Sequence, residues 1–335
     1  MKYLYLILSL SLVSCSSEPP KKTASNNSIE NIWNVPTSDI QGGISTFPVM
    51  INPVYSNISE VNDLNYLAEN AKVAMLNING NIYAYPYDFT NYYEVINDSF
   101  ENTHFALTYC PNTKSALCFN RELSTNEIIT LRASGYLYKD NQITSDSNHN
   151  QYWPQMKSSS IRGYEYDETL ETFNIVETTW SILKNHFPNA AVFKHENTNS
   201  CNNCTQPSIP LHYNRFGVIN ESNNGNDLVH LYDYDNFSNN TQIEYLTVNG
   251  KNAIVVGNKG KVFFNSFYTP IGLSFSPLPS EDFPNILIDN ENNKWNVFGV
   301  ATFGDRMGNQ LNSPKSFIAS ISAWESHFEN IEIHD

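Results

Sequence analysis

The stretch KVAMLNINGNIYAYPY at residues 72–87 decides how the chain is read. Its apolar residues form two extended runs, Lys72–Ile78 and 81–87, separated by Asn79-Gly80. Asn-Gly supplies two residues that tolerate positive φ, which a two-residue hairpin turn needs if its twist is to match the flanking strands. The β-branched and aromatic content of both runs suits a pleated, half-buried surface. The spacing therefore predicts a hairpin at the start of a folded body, and the rest of the chain is read outward from it.

Further along, 105–110 and Ser115–Asn120 flank Pro111-Asn112-Thr113-Lys114 as strand, turn and strand, and 127–133 and 136–138 add extended segments. Helical patterning is confined to 178–186, with Thr178 or Thr179 as cap and Pro188 beyond its end, and to 316–328. Those helices close an apparent repeat. The order Asp146, Trp153, Gly163, Thr179-Trp180, His186-Phe187 recurs as Asp289, Trp295, Gly304, Ala323-Trp324, His327-Phe328. Upstream, Asn79-Gly80 pairs with Asn249-Gly250, and Cys110 with Gly257. The expectation is a β-rich α+β body of two similar halves from an internal duplication, each mostly strands with one late helix. The alternative is a chance alignment of two aromatic-rich β segments. The halves are placed at 33–196 and 242–335. The intervening 197–241 holds Cys201-Asn202-Asn203-Cys204, Pro207, Pro210 and an Asn-rich run, and reads as a connecting insertion on the surface.

Residues 1–14 carry Lys2 and then an apolar run too short to span a bilayer as a permanent helix. The run ends in Leu12-Val13-Ser14-Cys15, which resembles the processing box of bacterial lipoproteins, whose Cys becomes the lipid-bearing N-terminus. The alternative is an ordinary secretory signal with an incidental Cys. On the lipoprotein reading, Cys15 anchors the protein to a membrane in the bacterial cell envelope. Ser16, in a place where Asp would retain it at the inner membrane, points to the outer membrane. Residues 15–32 are polar, contain Pro and lack apolar period, as a disordered tether does. No other segment reads as transmembrane. With 19 basic and 34 acidic residues the net charge is −15, which argues against a counterion-releasing grip on nucleic acid. At 40% hydrophobic and 13% aromatic, the chain exceeds what disordered sequences carry.

Cys110, Cys118, Cys201 and Cys204 remain for chemistry. Export permits disulfides, and Cys201–Cys204 reads as a local bridge, an idle reduced pair, or a weak metal or redox signal. The histidines are scattered singly, so spacing assembles no metal site. Cys110 leads a Pro-bearing turn, where Thr108, Thr113, Ser115 and Lys114 would stabilise a thiolate; the bland reading is a small buried apolar residue at a strand end. Cys118 reads as packing, and a Cys110–Cys118 bridge requires Cα atoms within about 7 Å. Glu94 and Asp98 are either a carboxylate pair for acid/base work or, for Asp98, a turn cap. The recurring tryptophans read as core anchors.

The segments 80–86, 94–98, 108–111, 134–138, Asp146 through Gln155, and 178–180 together resemble, in order and spacing, the family catalogued as domain of unknown function 3179, from about Gly43 to the C-terminus. Most members have a second Cys three residues after the first, followed by Gly, and some carry selenocysteine there, which implies redox or nucleophilic chemistry. In this chain Thr113 replaces that second Cys, Lys114 the Gly, and Tyr93 the His usual before Glu94. A local two-Cys cycle or metal site is thereby excluded. Two functions are expected to compete. One is a thiol-dependent activity at Cys110, assisted by Thr113 and near Glu94, Tyr93 and Ser134. The other is a non-catalytic envelope protein that binds or scaffolds a small molecule, glycan or partner protein. The discriminator is whether the Cys110 sulfur faces polar groups in a pocket or is sealed. Substrate, cofactor and oligomeric state stay open.

Overall fold

Asn79 and Gly80 take φ of 51° and 85°, and the strands Lys72–Ile78 and Asn81–Pro86 pair antiparallel around them. Pro86 ends the second strand, and the chain turns into the short helix Tyr87–Thr90. The computed structural model describes residues 33–146, 151–162, 169–195, 214–222 and 226–334. It is β-rich, 49% strand and 12% helix, arranged in several small sheets.

In the first half, the hairpin is flanked by Val176–Thr179, antiparallel to Lys72–Ile78, and by Ala191–Phe193, parallel to Asn81–Pro86. The helix Trp180–His186 connects those outer strands and so straddles the hairpin. A meander of Val95–Phe100, Thr103–Cys110 and Ser115–Asn120 follows the hairpin, and then Leu131–Tyr138, Asn141–Asp146 and Tyr152–Pro154. The extended segments expected at 127–133 and 136–138 merge into that single strand through Gly135, at φ 78°, where a Cβ would lie 2.4 Å from the backbone of Ile44.

The second half repeats this order. Asn214–Asn220 and Leu228–Asp233 form a hairpin, flanked antiparallel by Ser316–Ser320 and parallel by Asn330–His334, with the helix Ile321–His327 between those outer strands. Its meander is Gln242–Val248, Lys251–Asn258 and Phe263–Tyr268, followed by Phe275–Pro277, Asn285–Asp289 and Lys294–Asn296.

Three expectations change. The stretch 197–241 is not only a connection: its residues 214–220 and 228–233 are strands. The segment 316–328 starts as a strand, because Phe317, Ile318 and Ala319 are buried in a sheet and Ser320 caps the helix by accepting from Ala323 N. The matching positions also shift. Asn249-Gly250 turns the meander, not the hairpin, and Cys110 falls opposite Asn258, since Cys110 pairs with Ser115 and Asn258 with Phe263 across four-residue turns. Gly257 is glycine for packing: a Cβ there would meet the Phe264 and Phe237 rings at 2.5 and 2.7 Å. By their caps Thr179 and Ser320, Trp180 matches Ile321, while His186-Phe187 still matches His327-Phe328. Gly163 lies outside the described residues.

The cores cross between the halves. One gathers Val73, Met75, Tyr85 and Trp180 with Ile254, Phe263, Phe267 and Trp295; another gathers Ala106, Leu117, Phe119 and Trp153 with Val229, Leu231, Phe317 and Trp324. Two polar contacts are reciprocal. Ser320 N donates to Thr113 O at 2.8 Å, and Thr178 Oγ1 to Lys261 O at 2.8 Å, so each half's four-residue turn touches the other's helix approach. Residues Trp33–Asp335 thus make one compact unit. Among the described residues no helix is long and apolar enough to cross a membrane.

Candidate functional site

Cys110 ends its strand 1% exposed, and its sulfur approaches one polar atom, the Asp140 carbonyl oxygen, at 3.8 Å. Thr113 does not turn its hydroxyl to that sulfur. It shares a hydrogen bond of 2.8 Å with Ser115 Oγ and accepts from Asn141 Nδ2 at 2.9 Å. Ser115 in turn donates to Gln155 Oε1 at 2.6 Å, and Gln155 Nε2 donates to Thr108 Oγ1 at 2.8 Å. These five side chains are all buried and answer one another, as a structural polar network must to offset its desolvation. Thr108, Thr113 and Ser115, expected to stabilise a thiolate, are occupied in holding two sheets together.

Ser134 Oγ is likewise committed, to the Ile143 carbonyl at 2.6 Å. Asp98 does not cap a turn: it lies inside the strand Val95–Phe100, where its two carboxylate oxygens accept from Tyr55 Oη at 2.5 Å and from Ser99 N at 2.7 Å. Glu94 sits at φ 59°, its carbonyl accepting from Tyr109 N at 2.9 Å; burial pushes its carboxyl up to about 7. Tyr93 stacks on His195, ring centroids 5.4 Å apart, so an imidazole from a distant segment lies beside Tyr93. Cys110 and Cys118 are both free. Cys118 pairs with Leu107, three residues from Cys110 along the strand, so the two side chains point to opposite faces and no bridge forms. Burial pushes the Cys118 thiol well up. Cys15, Cys201 and Cys204 lie outside the described residues.

What the structure builds beside this turn is a cleft of about 710 Å³, within the range of about 300–1,000 Å³ usual for small-molecule sites. Four tyrosines line it: Tyr66, Tyr87, Tyr92 and Tyr109. Asn70, Asn91, Asp88 and Lys114 bring polar groups to it, and Phe47 and Pro111 add apolar surface. Both neighbours of Cys110 are therefore in the wall, while Cys110 lies behind it.

The floor was not foreseen. The stem of Lys72 lines the cleft, but its Nζ is sealed and lacks a hydrogen-bond partner among the described residues. Glu177 Oε1, Tyr87 Oη and Tyr234 Oη are in the same condition. These groups are neighbours. Lys72 pairs with Thr179 across the strands, which puts Glu177 on the same face, and Lys72 Nζ lies 5.3 Å from the centre of the Tyr234 ring. Burial holds the lysine below and the glutamate above their ordinary ranges, each offset in part by the other's charge. The Glu177 charge also reaches Tyr87, whose hydroxyl falls outside hydrogen-bond geometry with it; burial and that charge hold the phenol protonated. A charged residue within the apolar run 175–180 and a lysine heading an apolar strand were the available signals.

Among the described residues, a cleft of about 710 Å³ lies over buried polar side chains, and Cys110 lies behind its wall. The chain belongs to the family described as protein of unknown function (DUF3179), which matches residues 45–259. The match stops short of the C-terminus, to which the resemblance was expected to run. No curated protein and no solved structure matches the chain.

Proposed function

We propose that the protein binds a small neutral saccharide in the Tyr66–Tyr87–Tyr92–Tyr109 cleft and works as a binding protein of the cell envelope, anchored through lipid on Cys15. The observation that carries this is the cleft itself, about 710 Å³, walled by four tyrosines with Asn70, Asn91 and Asp88 beside them. Aromatic rings offer faces for sugar C–H surface, and Asn70, Asn91 and Asp88 offer donors and acceptors for hydroxyls. Lys72 and Lys114 are countered by Asp88 and Glu177, so the surroundings favour a ligand without net charge.

The test is a glycan array probed with the full-length chain. Retention on neutral glycans is expected, weakened at least tenfold by Tyr92→Ala, whose ring is 56% exposed and so leaves the core intact. Absence of retention on every neutral glycan overturns the reading.

A thiol-dependent activity at Cys110 is the second reading. It is favoured by one observation: Tyr109 and Pro111 both line the cleft, so a small shift of the turn brings the sulfur to its wall. We also propose that the two halves arose by duplication, supported by their common element order and the reciprocal contacts of their turns.

A further inference from the structure

On the far hairpin sheet, Leu228–Asp233 and Asn330–His334 run parallel in a register that sets His230 opposite Glu332 and Tyr232 opposite His334. His230, Glu332 and His334 therefore point to one face. Their donor atoms converge: His230 Nδ1 lies 3.0 Å from His334 Nε2 and 3.4 Å from Glu332 Oε2, and His334 Nε2 lies 3.8 Å from Glu332 Oε1. Ligand atoms held at roughly 2.0–2.2 Å from a tetrahedral Zn²⁺ are about 3.3–3.6 Å apart. The three side chains need little movement to meet that requirement.

The cluster is also held in place. The Tyr232 ring stacks on His334 at 4.5 Å and 11°, and the His334 carbonyl accepts from Asn236 Nδ2 at 3.2 Å. Access remains: the side chain of His230 is 9% exposed, that of His334 31% and that of Glu332 55%. The first half shows that this backbone does not require such residues. At the corresponding register, where Tyr83 pairs with Ala191 and Ala84 with Val192, the three places hold Tyr83, Ala191 and Phe193.

We propose that His230, Glu332 and His334 form a site for one divalent transition-metal ion of the Zn²⁺ class. Two imidazoles and a carboxylate select such an ion over Mg²⁺ or Ca²⁺, which prefer all-oxygen shells. Three protein ligands at a half-open surface leave a fourth position for water or an exogenous ligand.

The experiment is a titration of the full-length, metal-free chain with Co²⁺, read by its visible ligand-field bands, followed by displacement with Zn²⁺. One ion per chain is expected, with affinity reduced at least tenfold in His334→Ala and clearly in Glu332→Gln. Both residues are at the exposed side of the cluster, so neither variant depends on repacking the core, and circular dichroism of each checks the fold. Absence of binding at micromolar metal overturns the proposal. So does binding that survives unchanged in both variants, which assigns the ion to other ligands such as Cys201 and Cys204.

Discussion

The two hairpin sheets share strand order and sense over four strands, yet their charged side chains lie at different places. In the first, Lys72 heads the inner strand and Glu177 lies on the same face; in the second, the corresponding places hold Asn214 and Ile318, the latter paired with Phe216. Phe216 stacks on Phe264 at 5.3 Å and 11° in an aromatic-rich core. Conversely, the outer parallel strands carry Tyr83, Ala191 and Phe193 in the first sheet but His230, Glu332 and His334 in the second. The shared strand arrangement carries Ile318 where the first sheet has Glu177, and Tyr83, Ala191 and Phe193 where the second has His230, Glu332 and His334, so the fold does not demand a charged residue at those places.

Several substitutions break or sharpen that comparison. The largest effect belongs to the matched tryptophans. Trp153→Ala and Trp295→Ala each cost about 3–5 kcal/mol in urea unfolding, and each variant unfolds in one transition, because the cores run across both halves. Separate transitions for the two halves contradict the shared-core picture.

The helix-terminal histidines come next. Burial pushes His327 down from 6.5 to about 4, whereas His186, partly open beside Lys261 Nζ at 3.0 Å, is lowered less. A buried neutral His is charged first in the unfolded chain, so stability is full above pH 6.5 and is lost as pH falls through about 4. The loss is about 3 kcal/mol. Acid titration of stability is expected to flatten in His327→Leu and to change little in His186→Leu.

Replacing the charged pair at the floor of the cleft by apolar residues of similar size, Lys72→Met with Glu177→Ile, raises stability by about 1–4 kcal/mol and abolishes saccharide retention on the array. A fall in stability means that the two groups are structural. Glu94→Gln removes an oppositely signed pH dependence. A carboxyl raised from 4.5 to about 7 stabilises below pH 4.5 and loses that contribution as pH rises through about 7, so the variant shows a flatter decline across that window.

The smallest effects come from the two four-residue turns, in which Lys114 and Val262 hold φ of 56° and 52°. Glycine relieves that conformation, so Lys114→Gly and Val262→Gly gain up to about 1 kcal/mol. Val262, being β-branched, gains more. A loss at both positions shows that side-chain packing, not backbone strain, fixes the turns.

The hairpin at 72–86 and the meander around Pro111 were legible because Asn-Gly turns and short apolar runs are local signals. The helix 180–186 was legible through its Thr179 cap, whereas 316–320 was taken for helix because a buried strand leading into a capped helix has the same apolar density. The strands at 214–220 and 228–233 were hidden by the Asn- and Pro-rich residues around them. The candidate site was legible only at its edge. Sequence reading found the Cys110 turn, which borders the cleft, but Lys72 and Glu177 are 105 positions apart and meet only through strand pairing. His230 and His334, 104 residues apart, looked like isolated residues for the same reason. Cys110 drew attention because thiol chemistry is readable from one residue, while a cleft is not.

The most direct test of the claim that the cleft, not the thiol, is the functional centre is the rate of iodoacetamide modification of Cys110, followed by mass spectrometry on the native and the urea-unfolded full-length chain. With Cys110 1% exposed and its sulfur 3.8 Å from the Asp140 carbonyl oxygen, the native thiol is predicted to react far more slowly than the unfolded one, as Cys118 does. Native modification as fast as or faster than in the unfolded chain contradicts the account and returns the chemistry to Cys110.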